Sequence, residues 1–161
     1  MQIKTIGTGI FTAILALSLV GCAGHQAKKK TSLELQAIQS QQFETTKSVG
    51  FAAVISVFQD LGYIIENADK ESGFITAKSS SEASFDWLFT GNRYQSNTKA
   101  TAFIEQIREG KTKIRLNFVN VTKTSSTWGQ NSQSDVSVED PKVYKTAFKK
   151  IGDAIFIRSG S

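Results

Sequence analysis

The sequence predicts an α+β fold: a two-layer sandwich with two helices packed on one face of an antiparallel sheet of four to five strands, in the order (β)αββββα. Three observations carry this expectation. Phe51, Val54, Ile55, Phe58 and Leu61 recur at helical spacing, and a second such stripe, Tyr144, Ala147, Phe148, Ile151 and Ile155, closes the chain. Between them lie two pairs of β-rich runs, each pair joined by turn residues as in a hairpin. Each helix has one apolar face and the sheet has one, so placing both helices on the same side buries all three together.

The elements follow in order. "AIQSQQFET", residues 37–45, sets Ile38 and Phe43 at opposite parity in a polar frame and reads as a first, edge strand. In "TKSVGFAAVISVFQDLG" the apolar positions define a helix over residues 46–61, broadened by Ala53 and Val57. Gly62 follows it, where a left-handed stop is expected. Residues 63–66 and 74–78 are β-rich, and "NADKESG" supplies the turn chemistry between them. "KATAFIEQIR" (99–108) and "KIRLNFVNVTK" (113–123) form a second hairpin around "EGKT". Ile114, Leu116 and Phe118 alternate with Arg115 and Asn117, so one face is buried and the other wet. Asp140 as N-cap and Pro141 at the first helical position open the last helix, with Lys142, Lys145 and Lys149 off its apolar stripe.

The N-terminus has a different character. Lys4 precedes an apolar run from Ile10 to Val20, and small residues follow, the pattern of a secretory signal. Eleven residues are too few for a bilayer span, which takes about 20 as helix. The run ends on Leu19, Val20, Gly21 and Cys22, and "LVGC" resembles the lipobox of bacterial lipoproteins. That resemblance implies cleavage before Cys22, a diacylglycerol on its thiol and a further acyl chain on its amine. Several chains anchor stably where one holds only weakly. The alternative is a free cysteine buried in a core, but Cys22 sits beside glycines with no core pattern after it. Ala23, in place of the Asp that retains many lipoproteins at the inner membrane, implies sorting to the periplasmic face of the outer membrane. The expected organisation is a signal peptide at 1–21, the lipidated cysteine and a flexible tether at 22–37, helical near "TSLELQ", and one periplasmic α+β domain at 38–161.

Loss of residues 1–21 leaves 140 of the 161 residues, enough for one core, and lowers the formal charge from +5 to +4 because Lys4 goes with the signal. The three lysines at 28–30 follow the anchor directly and read as a solvated tether within reach of anionic headgroups. No basic face interleaved with aromatics recurs in the folded part, so nucleic acid is not an expected partner.

A further likeness lies in the domain. "FAAVISVFQDLGYIIENADKESGFITAKS" resembles the helix-then-hairpin units of BamC-type lipoproteins of the outer-membrane β-barrel assembly machinery. It is closer to a group of bacterial lipoproteins with an "LQDLGF…G.I.A.K" core and a terminal aromatic helix. The matching positions are Phe58 to Tyr63, then Gly73, Ile75, Ala77 and Lys78, and finally Tyr144, Phe148, Ala154, Ile155 and Phe156. The likeness spans residues 38–157 and rests on core and turn positions. It implies fold and location and carries over no catalytic residue. Where the group has a basic residue before the first helix, this chain has Gln41 and Gln42.

The catalytic inventory is thin. Cys22 is the only cysteine and is consumed by the lipid; His25 is the only histidine and lies in the tether. A zinc site or a Ser-His-Asp triad cannot be assembled from one chain, and no metal or cofactor is expected. "SNTK" (96–99) has the Ser-x-x-Lys spacing of some acyl enzymes but leads into a strand, where residues three apart face opposite sides. Asp69 and Glu71 are turn residues with no carboxylate opposite.

Two long connections remain. Residues 79–97 carry Phe85, Trp87, Leu88, Phe89 and Tyr94 in a polar frame, and residues 124–139 carry Trp128 in a Ser- and Gln-rich stretch read as disordered. For "FDWLF" two readings stay open: a short helical flap closing the core, or a surface touching a partner or a lipid. Strand parity sends both connections to one end of the sheet, opposite the turns near 68–72 and 109–112. The expected function is non-enzymatic: a lipid-anchored component of an envelope assembly acting through protein contacts. The alternative is a small-ligand or lipid-binding module with Phe85, Trp87 and Phe89 over a pocket.

Overall fold

The computed structural model of the chain describes residues 30–86 and 92–160, with residues 84–86 described by their backbone alone. Its elements are α1 (Ser32–Gln39), β1 (Ser40–Glu44), α2 (Lys47–Asp60), β2 (Tyr63–Asp69), β3 (Phe74–Ser79), β4 (Glu82–Asp86), β5 (Asn92–Arg108), β6 (Lys111–Ser126), β7 (Asn131–Ser137) and α3 (Pro141–Ser159). The fold is α+β, with α2 and α3 packed together over an antiparallel sheet.

Local chemistry sets the helix ends as the sequence predicts. The Asp140 carboxylate accepts from the Lys142 N–H at 2.9 Å, with Pro141 at the first position of α3. Gly62 follows α2 with φ +81°. α1 opens on a capping box: the Thr31 N–H donates to Glu34 Oε2 at 2.7 Å, and the Glu34 N–H donates back to Thr31 Oγ1 at 3.3 Å.

The sheet is larger than the four to five strands expected, with seven: β1-β6-β5-β3-β2, plus β4 on β5 and β7 on β6. The long β5–β6 hairpin is its spine, paired from Arg108↔Lys111 at one end to Asn92↔Ser126 at the other. In the near half β3 and β1 flank it; in the far half β4 and β7 take their places. The expectation of long connections at 79–97 and 124–139, the latter disordered, is corrected here. Each contributes a strand, β4 and β7, and the predicted runs 99–108 and 113–123 extend to 92–108 and 111–126. Among the described residues of the far half only Val121 is buried, so the sequence there carries little alternation of apolar and polar residues.

The core lies on one face of the near half. Ala100, Ala102 and Ile104 of β5 stand opposite Phe118, Leu116 and Ile114 of β6, and all six are buried. Ile75 and Ala77 of β3 continue that face. Phe51, Val54, Val57 and Phe58 of α2 and Tyr144, Phe148, Ile151 and Ile155 of α3 close over it. Alanines at 77, 100 and 102 leave room for large rings above: Phe58 packs edge-on to Phe118 with centroids 6.3 Å apart, and Phe118 lies 5.4 Å from Tyr144. Along the β6 edge, β1 ends at Arg115 and β7 begins at Val119. Gln39 fills that gap, its amide within 3.4 Å of both Asn117 Oδ1 and the Tyr144 hydroxyl.

Candidate contact surface and two recesses

Strand pairing places both connections singled out in the sequence at the same end of the sheet. β4 pairs Glu82↔Ser96 through Asp86↔Asn92, and β7 pairs Val119↔Ser137 through Ser125↔Asn131. The tight turns lie at the other end, where the Gly73 carbonyl accepts from the Ile104 N–H at 2.9 Å. The far half is therefore a four-stranded ribbon, β4-β5-β6-β7, reaching beyond the helical layer.

The ribbon is rich in hydroxyl and amide side chains. Every residue of β7, "NSQSDVS", is exposed. Among the described residues of the ribbon only Val121 is buried. Trp128 occupies the β6–β7 turn at 91% exposure; the Gly129 N–H donates to the Ser126 carbonyl and the Ser126 N–H to the Gln130 carbonyl. Tyr94 lies mid-ribbon and half-buried, opposite Ser84 and Thr124. Phe85 is placed by its backbone opposite Arg93. Trp87, Leu88 and Phe89 lie outside the described residues, as do Leu19, Val20, Gly21 and Cys22.

Two recesses escaped the sequence reading. The first, 410 Å³, opens between the end of α2, the start of β2 and the first turns of α3. Leu61, Tyr63, Phe118, Val143 and Ala147 form its apolar wall, with Lys142 at its rim. Burial raises the Tyr63 hydroxyl above its ordinary pKa. The second recess, 350 Å³, lies on the sheet face opposite α2 and α3, beside the end of α1. Phe74, Phe103, Arg115, Thr101, Asn117 and Gln39 line it. No run in the sequence signals either, because each is assembled from three or more separate elements.

Among the described residues no group of three or more His, Cys, Asp or Glu side chains is placed to hold a metal ion, and no helix is long and apolar enough to cross a membrane. Comparison of the chain with protein families and with curated proteins finds no match in either.

Proposed function

We propose that the chain is a lipid-anchored periplasmic protein of the outer membrane that serves an envelope assembly through protein contacts, without catalysis. The lipobox-like Leu19–Cys22 supports the anchor, and the BamC-like pattern over residues 38–157 supports the setting. One observation carries the contact reading. The ribbon stands clear of the helices, almost free of buried side chains, and ends in an exposed tryptophan. Trp is enriched at protein interfaces because it offers a large apolar area with a polar handle. Lys30 Nζ donates to the Glu139 carbonyl just before α3. Cys22 lies eight residues earlier, a reach of about 27 Å at full extension, so the domain would stay close to the membrane surface.

Photo-crosslinking in native membranes tests this. A photoreactive residue at position 128 should capture one defined envelope protein, and the same residue at Glu109, in the opposite turn, should not. Equal capture from both positions, or none from 128, would overturn the contact reading.

A second reading has its own observation, the 410 Å³ apolar recess beside α3, which suits one chain of an amphiphile. It differs from the expected pocket under Phe85, Trp87 and Phe89, since its walls are Leu61, Tyr63, Phe118, Val143 and Ala147. Mass spectrometry of a solvent extract should find an amphiphile with the natural protein and none with Val143→Arg. A clean extract from both removes this reading.

A further inference from the structure

The sheet face opposite α2 and α3 carries more cations than carboxylates. On β5 and β6 it holds Arg93, Lys99, Arg108, Lys113, Arg115 and Lys123 against Glu105, while Asp69 on β2 and Asp135 on β7 add carboxylates. Lys111 also lies on this face but is paired with Glu44 at 3.3 Å. Among the described residues no carboxylate reaches Arg115, and its guanidinium makes no hydrogen bond.

Register places Arg115 in a row. Phe103 stands directly opposite it on β5, and Phe74 stands opposite Phe103 on β3. The two rings pack with centroids 5.1 Å apart, and Phe74 remains 49% exposed. The next row holds Asn117 opposite Thr101. Gln39 closes one side, its amide committed to Asn117 Oδ1 and Tyr144. These residues line the open 350 Å³ recess: an aromatic wall, one unpaired guanidinium beside it, and an amide and a hydroxyl one row away.

That set has a definite complement. A guanidinium offers two parallel N–H groups that match the two oxygens of a carboxylate, and neutral donors alongside add direction without a second charge. The phenyl rings need an apolar group to cover them, within one ligand length of the anion. Lys99 and Lys113, on the same face, raise the local concentration of anions.

We infer that this recess binds an organic carboxylate carrying an apolar group. The same chemistry is offered by a free acid and by the carboxyl end of a polypeptide with an apolar last residue. The inference is independent of the anchor and of the ribbon contact, since neither contributes a residue to the recess.

The test uses full-length protein in detergent micelles and 3-(4-fluorophenyl)propionate as probe, with its ¹⁹F line width as readout against empty micelles. Binding should weaken about tenfold or more in Arg115→Gln, and as much when the probe's carboxylate is replaced by its amide; tenfold corresponds to about 1.4 kcal/mol. Phe74→Ala should weaken it several-fold, and Lys123→Gln, on the same face but outside the recess, less than twofold. Arg115 is exposed, so its variant should melt with the natural protein. Displacement of the probe by acetyl-Ala-Ala-Leu, but not by its amidated form, assigns the site to chain ends; failure to displace assigns it to free acids. No protein-dependent broadening, unchanged binding in Arg115→Gln, or equal losses in Arg115→Gln and Lys123→Gln would overturn the proposal.

Discussion

Replacing Gly73 by alanine should cost far more than the same change at Gly62, although both backbones are left-handed, at φ +83° and +81°. A side chain in that region costs about 1–2 kcal/mol. Gly62 has nothing within 4 Å of an added Cβ, so that penalty is the whole effect there. At Gly73 the added carbon would lie 2.1 Å from the Ile104 carbonyl oxygen and 3.0 Å from Lys47 Cε. The backbone oxygen cannot yield without parting the β2–β3 turn from β5. That separation breaks the bond from the Ile104 N–H to the Gly73 carbonyl, within a residue that is fully buried. A buried group left without its partner costs about 1–3 kcal/mol more. Gly73→Ala should therefore lose about 2–5 kcal/mol in total. At about 4 °C per kcal/mol for a domain of this size, its melting temperature should fall by about 8–20 °C, against about 4–8 °C for Gly62→Ala. Circular dichroism melts of the two variants decide the matter. Equal losses would refute the close approach of the turn to β5.

Three further outcomes follow from the same contacts. Tyr144→Phe removes the donor to the Val138 carbonyl at 2.8 Å and one of the two partners of the Gln39 amide, in a side chain only 1% exposed; denaturant titration should show a loss of about 1.5 kcal/mol. Trp128→Ser, at 91% exposure, should stay within about 0.5 kcal/mol of the natural protein in the same titration while lowering recovery of the crosslinked partner. Acid should weaken the fold through Glu34 and Asp69. The Thr31 N–H and hydroxyl hold the Glu34 carboxyl below its usual range, and the Ser72 hydroxyl, then the Glu71 N–H, do the same for Asp69. Groups depressed in the folded state stabilise above their unfolded values, around 4, and lose that contribution as pH falls through the lower folded values. Melting temperature should thus hold from pH 7 to 5 and decline below about 4; an unchanged melt at pH 3 would contradict these bonds.

Elements held by local chemistry were legible. Asp140 and Pro141 mark the start of α3 because cap and fixed φ act within one turn, and Gly62 marks the end of α2 for the same reason. Alternation exposed the near half of β6, since Ile114, Leu116 and Phe118 face helices while Arg115 and Asn117 face water. The far half was hidden because "NSQSDVS" gains its strand form from β6, not from a face of its own. Two structureless stretches of that length in a small domain were themselves a signal against the assignment. The end at which these stretches lie was legible from strand parity. The recess at Phe74, Phe103 and Arg115 was not, because it depends on the register of three strands whose pairing spans about 40 residues of chain. α1 falls within residues 22–37 read as tether with a helical segment, and extends two residues further to Gln39.

The anchor is the claim on which location and partner both depend, and the intact mass of protein extracted from bacterial membranes tests it most directly. The account predicts a chain that begins at Cys22, carries a diacylglycerol on the thiol and an acyl chain on the amine, and gives way to an uncleaved precursor in Cys22→Ser. A mature chain that begins elsewhere, or a Cys22→Ser protein that is cleaved and fractionates with the outer membrane as before, would contradict it.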